Sequence, residues 1–125
     1  MRSSMKVTGI GIDLVDISRI RRFLQDNRPS IGRLFSESEK TSLKLKNISP
    51  LKFAQFFSAK EAFFKAAGGS WMGLEGFSNI EVKCLSRDRF KVSSFAGKQI
   101  EGRAEGNFLR GRGWIGARLV LWNSK

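Results

Sequence analysis

Apolar and polar residues alternate near the start of the chain, and this alternation predicts a β-strand over residues 7–15. One face would carry Thr8, Ile10, Ile12 and Leu14, and the other Val7, Gly9, Gly11 and Asp13. Glycine weakens the interior of a strand. Two glycines beside a carboxylate therefore indicate that another backbone or a ligand comes close to the second face.

A helical pattern follows this strand directly, and Asp16 or Ser18 can cap its first turn. Its apolar positions are expected to face inward and its charged positions outward. The inward positions are Ile17, Ile20 and Leu24, and the outward ones are Arg19, Arg22 and Asp26. The helix is therefore expected to present a basic surface.

A later helical pattern is apolar on nearly every side. Ser49 can cap it, Pro50 suits its first position, and the glycines at positions 68 and 69 can end it. Because phenylalanine and alanine surround this helix almost completely, we expect it to be buried.

The remaining pattern predicts one short helix and several strands. Ser36 and Glu39 have the spacing of a capping box and predict a helix over residues 37–45. Three stretches resemble strands: "FSNIEVKCL", "RFKVSSF" and "WIGARLVLW". Cys84, in the first of them, is expected to be a small core residue. Residues 97–113 are rich in glycine and charge, so we expect a loop or a poorly specified strand there.

Composition narrows the possible functions. A chain of 125 residues fits a single domain, residues 1–125, and 41% hydrophobic residues is ordinary for a globular protein. Its net charge of +12 favours anionic partners, whether nucleic acid, an acidic protein or a phosphorylated small molecule. The chain has no histidine, which excludes a histidine base, a zinc–histidine site and a Ser–His–Asp triad.

Its location is predicted to be cytoplasmic. A single cysteine excludes an intrachain disulfide and fits a reducing compartment. Acidic residues interrupt the apolar run at the N-terminus, and no apolar stretch reaches the length of about 18 residues that a membrane-spanning helix needs.

One carboxylate stands out because it falls in the apolar helix. An unpaired carboxylate in an apolar environment is costly, so Glu61 needs a cation. Lys65, four residues on, can supply it as an ordinary helix pair. A metal ion shared with Asp13 is the alternative, since one Asp and one Glu from separate elements are typical ligands of Mg²⁺.

Two motifs resemble those of holo-acyl-carrier-protein synthases, the small bacterial 4′-phosphopantetheinyl transferases. They are "GIGIDLVDISRI" and, about 45 residues later, "FSAKEAFFKAAGG". The resemblance implies an α+β fold with an antiparallel sheet packed on a long central helix. It also implies a homotrimer that binds coenzyme A at its subunit interfaces. The implied reaction transfers phosphopantetheine from coenzyme A to a serine of apo acyl carrier protein and releases 3′,5′-ADP, in fatty acid biosynthesis.

The resemblance also assigns residues to roles. Asp13 and Glu61 would hold Mg²⁺. Glu61 and Lys65 would be catalytic, and Lys65 would contact the phosphates or assist deprotonation of the serine. Lys60, Lys65 and Gly68 would lie beside coenzyme A.

Arg19 and Arg22 would meet the acidic helix of the carrier protein. The chain departs from the family before its last strand, where Asn107 and Arg110 stand in place of a serine and a histidine. Arg110 could give coenzyme A a charged phosphate contact. Alternatively, the protein is a homologue that binds coenzyme A or carrier protein without turnover. A basic single-strand nucleic-acid binder is the third possibility.

Overall fold

The computed structural model describes residues 5–68, 74–96, 98–100 and 102–124. Its strands form one antiparallel sheet in the order β1-β6-β5-β3-β2, with β4 paired to β3. The strands are β1 (Met5–Asp16), β2 (Ile80–Cys84), β3 (Arg89–Phe95), β4 (Lys98–Gln99), β5 (Arg103–Gly111) and β6 (Trp114–Ser124). The predicted α+β fold is confirmed.

Three α-helices begin where the sequence predicted. They are α1 (Ile17–Asn27), α2 (Glu37–Leu43) and α3 (Pro50–Ala66), and 3₁₀ segments cover Arg28–Leu34, Leu45–Asn47 and Leu74–Asn79. The Asp16 carboxylate accepts from the hydroxyl of Ser18 and from the backbone N–H groups of Ser18 and Arg19, and these hydrogen bonds lower its pKa. Ser36 and Ser49 cap α2 and α3 through their side chains. Helix α2 ends at Leu43, two residues before the predicted end at position 45. Helix α3 ends at Ala66, and Gly68, one of the two glycines predicted to end it, follows with a φ of 110°. The other glycine, at position 69, lies outside the described residues.

The 17-residue helix α3 packs on the sheet where β1 carries its two central glycines. A Cβ atom on Gly9 would overlap the carbonyl oxygen of Ala66, and one on Gly11 would overlap that of Ala62. The close approach of another backbone, predicted from these glycines, is confirmed. It brings the C-terminal half of α3 against the strand that carries Asp13.

The opposite face of β1 is open. Ile10, Ile12 and Leu14 are 70%, 53% and 58% exposed. We call these three side chains the apolar row. A row of this kind on a sheet is typical of a surface that another protein chain covers.

One continuous cluster of buried apolar residues lies between α3 and the sheet and extends under α1 and the first 3₁₀ segment. Phe53 and Phe63 of α3, and Phe90 and Phe108 of the sheet, belong to it. The last two stack at 4.7 Å between ring centroids. None of the helices in the described part of the chain has the length and apolar character needed to span a bilayer.

Two expectations about the second half of the chain have different outcomes. A loop or a poorly specified strand was expected over residues 97–113, and the strand alternative holds for residues 103–111, which form β5 between β3 and β6. The expectation for Cys84 was wrong: it shares the face of β2 that carries the buried Ile80 and Val82, but it is exposed at the end of the strand.

Candidate active site

Asp13 and Lys65 meet where β1 passes the C-terminal half of α3. The Lys65 ammonium donates to Asp13 Oδ1 at 3.1 Å and to the backbone oxygen of Ile12 at 3.1 Å. The Asp13 side chain is only 14% exposed, whereas that of Lys65 is 50% exposed. Lys65 therefore forms its ion pair across two elements with Asp13, not within the helix with Glu61 as the simple helix-pair interpretation expected.

Glu61 lies one turn before Lys65 on α3 and is half-buried. Burial raises the pKa of its carboxyl group, the negative charge of Asp13 raises it further, and Lys65 partly offsets both effects. Burial also raises the pKa of Asp13, against the hydrogen bond and charge of Lys65. The two carboxylates thus repel each other at a site from which water is partly excluded. The positive charge of Lys65 partly offsets the negative charge of both.

Asp13 has an unused oxygen that fits a metal ion. Its Oδ2 atom is buried and has no hydrogen-bond partner among the described residues. A buried carboxylate oxygen without a partner is costly unless a cation occupies the site. The described residues contain no group of three or more His, Cys, Asp or Glu side chains that could hold a metal ion. Asp13 and Glu61 could act as a pair of carboxylate ligands. Mg²⁺ is bound in this way, because it keeps several waters and takes further ligands from substrate phosphates.

Lys60 is placed differently from the prediction. Its side chain is 1% exposed, and its ammonium donates to Leu34 O, Glu39 Oε1 and Phe77 O at 2.8, 2.6 and 2.8 Å. An ammonium group has three hydrogens, and all three are used. The predicted contact between Lys60 and coenzyme A is therefore not available in this fold, because the Lys60 ammonium is buried and already bound to three protein acceptors.

Gly68 stands at the end of α3, on the side of Lys65. Its φ of 110° is a conformation that side chains rarely adopt, and its N–H donates to Lys65 O at 3.2 Å. The residue is exposed. Its backbone is therefore open to a ligand at the same end of the helix as the Asp13–Lys65 pair.

Arg19 and Arg22 lie on the exposed face of α1, as predicted. They line a cavity of about 520 Å³ between α1, β1 and α3. Its apolar walls are formed by Leu14, Ile20, Phe23, Phe53 and Phe57. Asp16 and Asp26 line the same cavity, so its rim carries charges of both signs. The two arginines can meet acidic groups of a partner, and the apolar walls can take one or more apolar side chains.

Arg110 lies near the end of β5, in a different cavity of about 350 Å³. Its guanidinium approaches the Asp88 carboxylate at 3.5 Å and donates to Arg87 O at 3.3 Å. Lys52 and Arg87 line the same cavity, and neither Asp13 nor Glu61 does. The fold thus gathers a second basic region, which sequence reasoning identified only at Arg110.

Glu39 has two roles, of which the sequence predicted one. It was predicted to complete the capping box of α2, and it does so. The same carboxylate also forms the buried ion pair with Lys60, 21 residues further on. No spacing rule connects residues that far apart, so the sequence pattern could not predict this contact.

Two carboxylates beside a lysine can hold Mg²⁺ together with a phosphate group of a substrate. Comparison with known proteins specifies the class, because residues 9–112 match the family model of the 4′-phosphopantetheinyl transferase superfamily. The chain belongs to this superfamily. The enzyme class predicted from the two motifs is confirmed at the level of the family.

Curated relatives agree. A holo-[acyl-carrier-protein] synthase of Clostridium kluyveri is 31% identical over 102 residues, which are 82% of this chain and 75% of that protein. One from Clostridium perfringens is 34% identical over 82 residues, 66% of this chain and 59% of that protein. The alignments thus span between about three fifths and three quarters of these relatives.

Solved structures share the whole fold. The holo-[acyl-carrier-protein] synthase of Neisseria meningitidis superimposes with a TM-score of 0.74 at 23% identity, over 96% of this chain and 99% of that one. The corresponding enzyme of Bacillus anthracis, solved in complex with CoA (3′,5′-ADP), gives a TM-score of 0.69 at 29% identity, over 97% and 100%.

Proposed function

We propose that this protein transfers the 4′-phosphopantetheine group of coenzyme A to a serine of apo acyl carrier protein, with Mg²⁺, and releases 3′,5′-ADP. The observation that carries the proposal is the buried, unpartnered oxygen of Asp13 beside Glu61 and Lys65, in a chain of this family. The curated relatives are named for the same acceptor protein, and the Bacillus anthracis structure for the same coenzyme.

Asp13 and Glu61 would hold Mg²⁺, which when bound neutralises charge on the diphosphate of coenzyme A. The serine hydroxyl oxygen attacks the phosphorus next to the pantetheine arm, and the bond from that phosphorus to the oxygen of 3′,5′-ADP breaks. Lys65 is half-exposed and donates to two protein acceptors, so its third hydrogen can be donated to a phosphate oxygen. Glu61 would accept the serine proton on a carboxylate oxygen.

Coenzyme A would lie between subunits of a homotrimer. Gly68 would bind it in the subunit that supplies Asp13 and Glu61, since its exposed backbone adjoins Lys65. The neighbouring subunit would supply Arg110, whose cavity also holds Lys52 and Arg87 and suits an anionic group. The apolar row of β1 supports an assembly, because it needs a covering chain.

The carrier protein would dock on α1, with its acidic surface against Arg19 and Arg22. We place the reaction in the cytoplasm and in fatty acid biosynthesis. The exposed, unpaired thiol of Cys84 is compatible with a reducing compartment.

The test is intact-mass spectrometry of an apo acyl carrier protein after incubation with this protein, coenzyme A and Mg²⁺. We expect the mass of one phosphopantetheine group to be added, and none in a control with a chelator. Binding of coenzyme A without any product, across several carrier proteins, would instead favour a non-catalytic homologue, an interpretation that the arginine at position 110 keeps open. The nucleic-acid alternative is disfavoured, because most phenylalanines pack in the core and are not exposed for stacking on bases.

A further inference from the structure

The buried pair Lys60–Glu39 adjoins the candidate active site without belonging to it. Lys60 precedes Glu61 on α3, so the two side chains point about 100° apart around the helix. The Lys60 and Glu39 side chains are 1% and 2% exposed, and their ion pair is 2.6 Å long. Removing two charged groups from water costs free energy, and their mutual attraction often does no more than offset that cost. A gain in stability is therefore a weak explanation for this buried pair, and we looked for a role in the geometry of the site.

The pair is the centre of a hydrogen-bonded network. Besides Lys60, Glu39 Oε1 accepts from the N–H of Ser36 at 2.9 Å, and Oε2 accepts from the N–H of Val82 at 2.7 Å. The two other bonds of Lys60 reach the first and third 3₁₀ segments, at Leu34 O and Phe77 O. We call these contacts the Lys60 network. It ties α3 to α2, to β2 and to both 3₁₀ segments.

Helix α3 needs such a directional restraint, because its apolar side chains surround it. Buried residues cover most of the circumference of α3, except the side that carries Glu61 and Lys65. They include Phe53, Ala54, Phe56, Ala59, Ala62 and Phe63. A helix with one apolar stripe has one favoured rotation, whereas a helix that is apolar all round can bury similar area at several rotations. Gly9 and Gly11 fix how close α3 comes to β1, but a contact that lacks side chains gives little resistance to rotation or sliding.

Rotation of α3 matters for the metal site, since Asp13 is on β1 and Glu61 is on α3. A small rotation of the helix changes the separation of the two carboxylates. A divalent cation accepts only a narrow range of such separations.

We propose that Lys60 and Glu39 are positioning residues, which fix the rotation of α3 and thereby hold Glu61 where one divalent cation can bridge it to Asp13. The proposal rests on the metal assignment made under Proposed function. It gives Lys60 a role in the site without any contact with coenzyme A, and it adds Glu39, which no motif pointed to.

The test compares Mg²⁺ binding by the wild type, Lys60→Met and the double variant Lys60→Met/Glu39→Gln. Titration calorimetry is run with coenzyme A but no carrier protein, so that nothing turns over, and Mg²⁺ binding by coenzyme A alone is subtracted. The single variant leaves a buried carboxylate without its cation and is expected to lose stability. The double variant is neutral, and its glutamine can still accept from Val82 N–H. The double variant should therefore regain stability that the single variant loses, although it lacks the three hydrogen bonds that Lys60 donates.

We expect the Kd for Mg²⁺ to rise about tenfold in both variants. Losses of this size are typical when a residue that orients a metal ligand, without binding the metal itself, is replaced. Phe90→Leu is the matched control, because it loosens the core at the stacked Phe90–Phe108 pair, outside the Lys60 network. It should lower the melting temperature and leave the Kd unchanged.

A double variant that unfolds like the wild type and binds Mg²⁺ with the wild-type Kd would overturn the proposal, even if the single variant fails to fold. Absence of Mg²⁺ binding by the wild type itself would instead overturn the metal assignment on which the proposal rests. The two failures are therefore distinguishable.

Discussion

At the scale of single residues, Asp13 and Glu61 make the metal-free protein less stable than it could be. Burial raises the pKa of both carboxyl groups, and the charge of Asp13 adds to the shift of Glu61. A group whose pKa is raised by folding binds its proton more tightly in the folded state, so stability falls as pH rises through the window between the unfolded and folded pKa values. This cost is fully present at a pH above the folded-state pKa values of both groups.

Glu61→Gln should therefore have opposite effects on stability and function. In the metal-free protein, at a pH above the folded-state pKa of Glu61, we expect a higher melting temperature, because the substitution removes a charge that is partly buried and that Asp13 repels. Mg²⁺-dependent transfer should be lost, since one of two ligands is gone. Thermal unfolding with a chelator and the mass assay for transfer measure the two effects.

Glu105→Gln is the control for this substitution, because it neutralises a half-buried carboxylate on β5. It should leave transfer intact. Retained transfer in Glu61→Gln would show that Glu61 is neither a metal ligand nor the base.

The sequence predicted part of the site because the spacing rules are local. Glu61 and Lys65 share a helix, and the glycines that let α3 approach β1 are adjacent to Asp13, so the sequence alone groups these three residues. The ion pair of Lys65 and the burial of Lys60 depend on which elements lie opposite α3. Only the tertiary fold decides those contacts.

At the scale of elements, the contact between β1 and α3 sets the position of Asp13 relative to Glu61. Gly11→Ala should destabilise the protein by about 1–3 kcal/mol or more, because the new methyl group would meet the backbone of Ala62 and force β1 and α3 apart. The free energy of unfolding in urea measures this effect. Gly32→Ala is the control: its methyl group would come no closer than 3.7 Å to Lys40, and stability should change little.

The exposed face of helix α1 gives a second prediction at this scale. Arg19→Glu should lower kcat/KM for the carrier protein about tenfold, and the KM for coenzyme A should not change, because like charges would then face each other at the docking surface. The loss should be larger at low ionic strength, where charges act over a longer range. Steady-state kinetics at two salt concentrations test this.

Arg33→Glu changes the net charge equally and lies on the 3₁₀ segment outside the cavity of Arg19, so it serves as the control. An equal loss in both variants would mean that net charge, and not the α1 surface, attracts the carrier protein.

Elements with strong local signals were predicted well, and those stabilised by distant contacts were not. Side-chain caps and a proline at the first position marked the starts of α2 and α3. Strand β5 has glycines and charges that oppose a strand prediction. It forms because β3 and β6 flank it, and at Gly106 the lack of a side chain leaves room for the ring of Phe90. Sequence periodicity carries no information about such neighbours.

At the scale of the whole molecule, the apolar row of β1 is the feature that a single chain leaves unexplained. Ile12 is its central residue, 53% exposed, and it is adjacent to Asp13 on β1. In the proposed trimer a neighbouring subunit covers this row, and the same assembly would bring Arg110 to the coenzyme A site. Assembly and activity should then be lost together when the row is disrupted.

Ile12→Asp should therefore convert the trimer to monomer and lower transfer about 100-fold or more, since a buried charge at an interface costs several kcal/mol. Analytical ultracentrifugation and the mass assay measure the two effects on the same samples. Leu85→Asp, at an exposed apolar residue just after β2, is the control and should leave the trimer intact. A monomeric Ile12→Asp variant with full activity would show that the site is complete within one chain. Wild-type protein that sediments as a monomer would show that another partner covers the apolar row.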